Sequence, residues 1–125
     1  MEYVVFTLII GYLFGCIHPS YVISKIKKQN IKELGSKNAG ASNITVVFGW
    51  KYGIIVGLID ILKPVLSILI IWGLFHSAVS TEFLYILYYL NGAAVITGHI
   101  FPFFMKFNGG KGTASTIGLF FVINR

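Results

Sequence analysis

Three long apolar stretches and one abruptly polar interval set the pattern of this chain. From Tyr3 to Ser24 the sequence is apolar apart from small residues, His18 and Pro19; from Tyr52 to Phe75 only Asp60 and Lys63 are charged; from Phe83 to Met105 Asn91 and His99 stand out as polar. Each stretch reaches the ~20 residues that a helix needs to cross a bilayer core. The pattern therefore predicts an all-α, polytopic integral membrane protein with three full spans. The first stretch is too long for a signal-peptide core and is preceded by Glu2 rather than by basic residues, so it reads as a retained span. A last apolar piece, Thr113 to Ile123, has about half the length of a span and reads as the start of a fourth helical segment. Residues 1–125 are taken as one membrane domain.

Composition agrees with the pattern. The chain is 56% hydrophobic and only 11% charged, where soluble domains carry about a quarter charged residues. The lone cysteine, Cys16, excludes an intrachain disulfide and an all-cysteine metal site, and no metal or cofactor is expected. Ten Lys and Arg against four Asp and Glu give a net charge of +6. Lys25, Lys27, Lys28, Lys32, Lys37 and Lys51 crowd into one interval whose only acidic residue is Glu33, whereas the connection His76 to Glu82 has no basic residue. The positive-inside rule then places the lysine-rich interval in the cytoplasm and the N-terminus outside, and returns Lys106 and Lys111 to the cytoplasmic face. The lysines also suit anionic lipid headgroups. Nucleic acid is a poor fit, because the basic interval lacks interleaved aromatic residues and lies against a bilayer.

Two glycine-rich segments carry the candidate chemistry. Gly35-Ser36-Lys37-Asn38-Ala39-Gly40-Ala41-Ser42-Asn43 combines small residues, whose amides can approach an anion, with Ser42 or Asn43 as a cap for the following helix. The same residue types are also ordinary loop formers. The second segment runs from Gly98-His99-Ile100-Phe101-Pro102 through Lys106-Phe107-Asn108-Gly109-Gly110-Lys111-Gly112-Thr113. It is not a nucleotide-binding P-loop: Gly112 rather than Ser or Thr follows the lysine, the first glycine of the pattern is missing, and a membrane helix replaces the strand. Glycines around one lysine still make a concave run of amides beside a point charge, which suits a phosphate. Within the second span Asp60 and Lys63 share one helical face and can pair, either as a structural ion pair or to shape a polar site. His99 is an intramembrane base or hydrogen-bonding group. His18 and His76 are expected at the interface or exposed.

Taken in order, Gly35-Ser36-x-Asn38-x-Gly40-Ala41-Ser42-Asn43, Gly49, Lys51-Tyr52-Gly53, Asp60-x-x-Lys63 and Gly98-His99-x-x-Pro102-x-x-x-Lys106-Phe107-x-Gly109-Gly110-Lys111-Gly112 resemble the bacterial acyl-phosphate:glycerol-3-phosphate acyltransferase family over nearly the whole chain. The resemblance implies a membrane enzyme that moves a fatty acyl group from acyl phosphate to the 1-hydroxyl of sn-glycerol 3-phosphate, giving lysophosphatidate and inorganic phosphate. It implies acyl phosphate, glycerol 3-phosphate and membrane lipid as partners, and no cofactor. Gly35, Ser36, Asn38, Gly40 and Asn43 would line a phosphate site, and Lys111 with Gly109, Gly110 and Gly112 would bind phosphate and stabilise the departing charge. His99 would support or orient. Ser36, Lys111 and His99 are thus the expected catalytic positions, with direct attack by the glycerol hydroxyl and no protein nucleophile.

Two departures accompany the resemblance. Val46 stands where the family carries a phosphate-gripping arginine, which removes a bidentate donor unless Lys37, Lys51 or another basic residue substitutes. The family continues into a third motif bearing His, Asn and Glu, so the chain is expected to be a truncated or divergent copy. The alternative expectation is a catalytically incomplete paralogue or fragment that binds phosphorylated lipid or a membrane partner.

Overall fold

The structure is a computed structural model describing residues 1–106, 109–111 and 113–123, with the side chain of Thr113 left aside. Among the described residues six α-helices follow one another: α1 (Glu2–Gly15), α2 (Pro19–Lys27), α3 (Ala41–Phe48), α4 (Trp50–Phe75), α5 (Thr81–Ile100) and α6 (Thr113–Ile123), with 3-10 turns at Ile31–Glu33 and Phe103–Met105. Among the described residues there is no strand. Three segments of the described residues are long and apolar enough to cross a membrane: Glu2–Lys27, Trp50–Phe75 and Thr81–Met105. The all-helical, three-span expectation therefore holds.

The first span differs from the sequence expectation in being broken. Pro19 disfavours helical geometry at the residue before it, and His18 is extended, with φ −117° and ψ 97°. Helix α1 consequently stops at Gly15, and α2 restarts with Pro19 at its first position, where its missing N–H costs nothing. The carbonyls of Gly15 and Ile17 that the break releases point into the bundle, and both are taken up by Lys63.

The bundle buries small and polar residues beside an apolar core that includes Val56, Ile71, Leu87 and Val95, and it is bulky and apolar outside. Phe6, Ile9 and Leu13 of α1, and Leu58, Leu62, Leu66 and Leu69 of α4, are exposed, as lipid-facing side chains should be. Between α1 and α5 the helices nearly touch: a β-carbon on Gly11 would lie 2.6 Å from the Asn91 carbonyl oxygen, and one on Gly15 would strike the Val95 carbonyl. Ser67 Oγ of α4 donates to Asn91 Oδ1 at 2.7 Å, while Asn91 Nδ2 donates to the Thr7 carbonyl at 3.0 Å, so one amide stitches α1, α4 and α5. Proline inside α4 leaves it continuous. Pro64 cannot donate to the Asp60 carbonyl four residues back; instead Ser115 Oγ of α6 donates there at 3.1 Å. A β-carbon on Gly118 would strike the Ile61 carbonyl, so α6 is pressed into the flank of α4 at the proline. Its sequence reads as a fragment of a span; its structure is a fitted part of the bundle.

Candidate active site

The first glycine-rich segment is organised by Asn43. Buried at the start of α3, its Oδ1 accepts from the Ser36 backbone N–H at 2.9 Å, and its Nδ2 donates to the carbonyls of Leu34 and Asn38, each at 2.9 Å. A longer bond from Nδ2 reaches the Ile31 carbonyl at 3.4 Å, and all four partners lie within twelve residues, so the side chain holds the loop as a template. Gly35 sits at φ +56° against that amide, and a β-carbon there would strike Asn43 Oδ1. The expected cap is different: Gly40, extended, occupies the N-cap of α3, with no side-chain bond closing it, and Ser42 and Asn43 lie within the first turn. The cause is that Asn43 is already committed to the loop. An N-terminus left without a side-chain cap presents its first amides outward, which favours an external anion. Ser36 and Lys37 are exposed and Asn38 is half-buried on the same loop. Val46 lies on the outer side of α3, 79% exposed.

The second segment folds back on the end of α5. The Gly109 N–H donates to the Ile100 carbonyl at 2.8 Å and the Gly110 N–H to the His99 carbonyl at 3.1 Å. A β-carbon on Gly109 would strike the His99 carbonyl, and one on Gly110 would strike His99 Nε2. The two glycines are therefore required by close approach, and what they offer an anion is the loop shape rather than these two engaged amides. Lys111 is exposed beyond them; Gly112 lies outside the described residues. Lys32, from the turn after α2, reaches across and donates from Nζ to the Gly109 carbonyl at 3.0 Å, which ties the two glycine-rich segments together at one end of the bundle. Burial lowers its ammonium from the ordinary lysine value.

Beneath this loop lies a buried charged cluster. Lys63 Nζ donates to the carbonyls of Gly15 (3.1 Å) and Ile17 (2.9 Å) and to His99 Nδ1 (2.8 Å). Its three protons are then spent, and Asp60 Oδ1, 3.1 Å away, is a charge contact rather than an aligned hydrogen bond. An ammonium only donates, so Nδ1 of His99 accepts and the imidazole proton lies on Nε2, the atom nearest Gly110. The expected Asp60–Lys63 pair is present and has recruited His99 as well.

The expectation for His18 fails. It is 3% exposed, stacked on His99 with ring centroids 4.6 Å apart, and its Nε2–H donates to the His99 carbonyl at 2.8 Å. The reason is the break at Pro19, which turns the residue inward where an unbroken helix would have set it by period. A histidine inside an apolar stretch, directly before a proline, was the available clue. His76 is exposed, as expected. The His99 carbonyl thus receives both His18 and Gly110, and the polar chain Asp60–Lys63–His99–His18 ends at the glycine loop. Lys32, His18 and Ser115 are the residues that motif reading passed over.

Comparison with known proteins identifies the assembly. The glycerol-3-phosphate acyltransferase family model matches residues 5–125. "Glycerol-3-phosphate acyltransferase 1" of Oceanobacillus iheyensis is 49% identical, aligned over 99% of this chain and 60% of its own length. The glycerol-3-phosphate acyltransferase of Mycoplasmoides gallisepticum is 40% identical, over 97% of this chain and 54% of its own. The crystal structure of PlsY (YgiH), an integral membrane glycerol 3-phosphate acyltransferase in its glycerol 3-phosphate form, superposes with a TM-score of 0.81 at 35% identity, covering 96% of this chain and 57% of that one. The chain thus spans somewhat over half the length of these relatives. By its helices, its two glycine-rich segments and this match along nearly its whole length, the chain belongs to the glycerol-3-phosphate acyltransferase family.

Proposed function

We propose that the chain carries the phosphate-binding half of an acyl transfer from acyl phosphate to sn-glycerol 3-phosphate, yielding lysophosphatidate and inorganic phosphate for phospholipid synthesis. The Lys32–Gly109 bond carries this reading, because it sets two phosphate-suited segments side by side at one end of a membrane bundle. Ser36, Asn38 and the outward amides of α3 hold one phosphate; Lys111, on the loop shaped by Gly109 and Gly110 and followed in sequence by Gly112, holds the other and offsets the charge that develops as phosphate leaves. The glycerol hydroxyl attacks the carbonyl of the mixed anhydride directly. The C–O bond to phosphate breaks, the new ester forms, and the hydroxyl proton passes to the departing phosphate or to water. His99 acts at one remove, fixing the loop through its carbonyl. The lysine-rich face lies in the cytoplasm and the N-terminus outside, following the lysine asymmetry.

The decisive assay mixes the purified chain with acyl phosphate and labelled glycerol 3-phosphate and scores lysophosphatidate. Product that falls at least tenfold in Lys111→Ala supports the enzyme; no product above that variant sinks it for this chain. Val46, exposed where the family has an arginine, favours a second reading: a form that binds substrate without turning it over. Calorimetric binding of glycerol 3-phosphate, with no product, would select it. Topology is read independently by thiol labelling of Lys37→Cys and Lys111→Cys in a Cys16→Ser background. Labelling from opposite sides of sealed vesicles overturns the shared cytoplasmic face.

A further inference from the structure

A second polar site lies beside the glycine loops and borders them at Lys32 and Lys106. Helix α2, the turn Ile31–Glu33 and the turn Phe103–Met105 enclose a cavity of about 640 Å³. Four lysines line it, Lys25, Lys28, Lys32 and Lys106, and no carboxylate does among the described residues. Its floor is aromatic: Tyr21 and Phe104 pack edge to face at 5.0 Å, and Lys25 Nζ rests 5.2 Å over the Tyr21 ring, which fixes one cation at the rim. Ser24 lines the same cavity. It is 8% exposed, and its Oγ is buried without a hydrogen-bond partner. A helix serine commonly bonds back to its own backbone when nothing else is offered, and leaving a buried hydroxyl unmet is unfavourable. An unmet hydroxyl beneath four cations is complementary to an oxyanion.

Position selects the kind of anion. The cavity lies where two of the apolar spans end, at Lys27 and at Met105. That is the depth of lipid headgroups. Beside it Val22 and Phe103 are each more than half exposed, offering an apolar surface to an acyl chain. We propose that this cavity binds the phosphate headgroup of an anionic membrane lipid, with Lys25, Lys28 and Lys106 around the phosphate, the Ser24 hydroxyl donating to one of its oxygens, and the lipid chain lying along the outer face of α2. The site does not depend on the acyl-transfer reading.

The test reconstitutes the chain in phosphatidylcholine vesicles with a trace of spin-labelled phosphatidylglycerol or spin-labelled phosphatidylcholine. The motionally restricted fraction of the spectrum gives the relative association of each lipid. Severalfold preference for phosphatidylglycerol is expected, falling about fivefold for each lysine neutralised in Lys25→Gln and Lys28→Gln. Ser24→Ala is expected to lower the preference while leaving thermal stability unchanged or higher, because it deletes an unmet hydroxyl; a merely structural serine would show the opposite pair of changes. Lys37→Gln removes the same charge outside the cavity and leaves the preference intact. Equal association of the two lipids overturns the proposal, as does an equal fall with Lys37→Gln, which would mean diffuse attraction to a basic face. Displacement of phosphatidylglycerol by millimolar inorganic phosphate or glycerol 3-phosphate also overturns it, since the site would then be a soluble-phosphate site. Acyl transfer in the preceding assay without lipid preference sinks only the lipid site, and lipid preference without acyl transfer sinks only the enzyme.

Discussion

The loop from Gly35 to Gly40 is fastened by two neutral side chains, Asn43 at its own end and Ser20 of α2, whose Oγ donates to the Ala39 carbonyl at 2.8 Å, whereas the loop at Gly109 and Gly110 rests on a charged assembly drawn from the α1–α2 break, α4 and α5. Asn43 works over separations of five to twelve residues and Ser20 over nineteen. Lys63 reaches back 46 and 48 residues to α1's frayed end and forward 36 to His99, and His18 spans 81 to the His99 carbonyl. The first loop needs only α2, α3 and the turn between them; the second exists only once the bundle has closed. Their chemistry differs for the same reason. A neutral amide near the lysine-rich end needs partners only for its hydrogen bonds, while a charge at membrane depth is tolerable only when fully surrounded.

The sharpest way to break this contrast is to remove the ammonium. Lys63→Met strands Asp60 and leaves the Gly15 and Ile17 carbonyls unmet, so a loss of about 3–5 kcal/mol is expected, read from denaturant unfolding in micelles. Adding Asp60→Leu should recover only part of it, because the two carbonyls stay unmet. Full recovery in the double variant would show that Lys63 serves the carboxylate alone. Asn43→Ala should cost less, about 2–3 kcal/mol for its bonds to the loop and turn, and should open the first loop to protease while the second keeps its protection. Asn43→Asp should be no better than alanine, since a carboxylate keeps the bond from Ser36 but faces three carbonyls it cannot donate to. Protection that falls equally at both loops would end the claim that they are independently held.

His18→Phe comes next. The ring that stacks on His99 is kept and the donor to its carbonyl is lost, so about 1 kcal/mol is expected. In the enzyme reading the variant should raise KM for glycerol 3-phosphate more than it lowers kcat, because the loop loosens and its charges stay. A kcat effect alone would give His18 a direct part in the chemistry.

How much of this was readable beforehand divides along the same line. Apolar length and lysine placement predicted the three spans, because a bilayer enforces both. The Asp60–Lys63 pair followed from helical spacing, which needs no tertiary knowledge. The glycine segments were visible from residue type, but which of their groups stay open to a ligand was not: the amides of Gly109 and Gly110 are engaged by carbonyls of residues ten or so positions earlier, and nothing in the spacing signals that. His18 was misplaced because Pro19 was read as an interruption of a helix rather than as the start of a new one. Lys32 looked like one lysine among six; only the closed fold distinguishes the one that reaches Gly109.

The smallest expected effect tests whether α6 belongs to this bundle by chemistry or merely by proximity. Pro64 leaves the Asp60 carbonyl without its helical partner, and Ser115 supplies the missing donor. Intramembrane hydrogen bonds of this kind contribute about 0.6 kcal/mol on average, so Ser115→Ala should cost about that much. In a Pro64→Ala background the new backbone N–H at position 64 bonds the same carbonyl, and Ser115→Ala should then cost close to nothing. The double-mutant cycle thus has a predicted sign as well as a size. If the serine costs as much with alanine at 64 as with proline, its hydroxyl is not answering the proline, and the seating of α6 rests on the close packing of Gly118 against Ile61 and Pro64 alone.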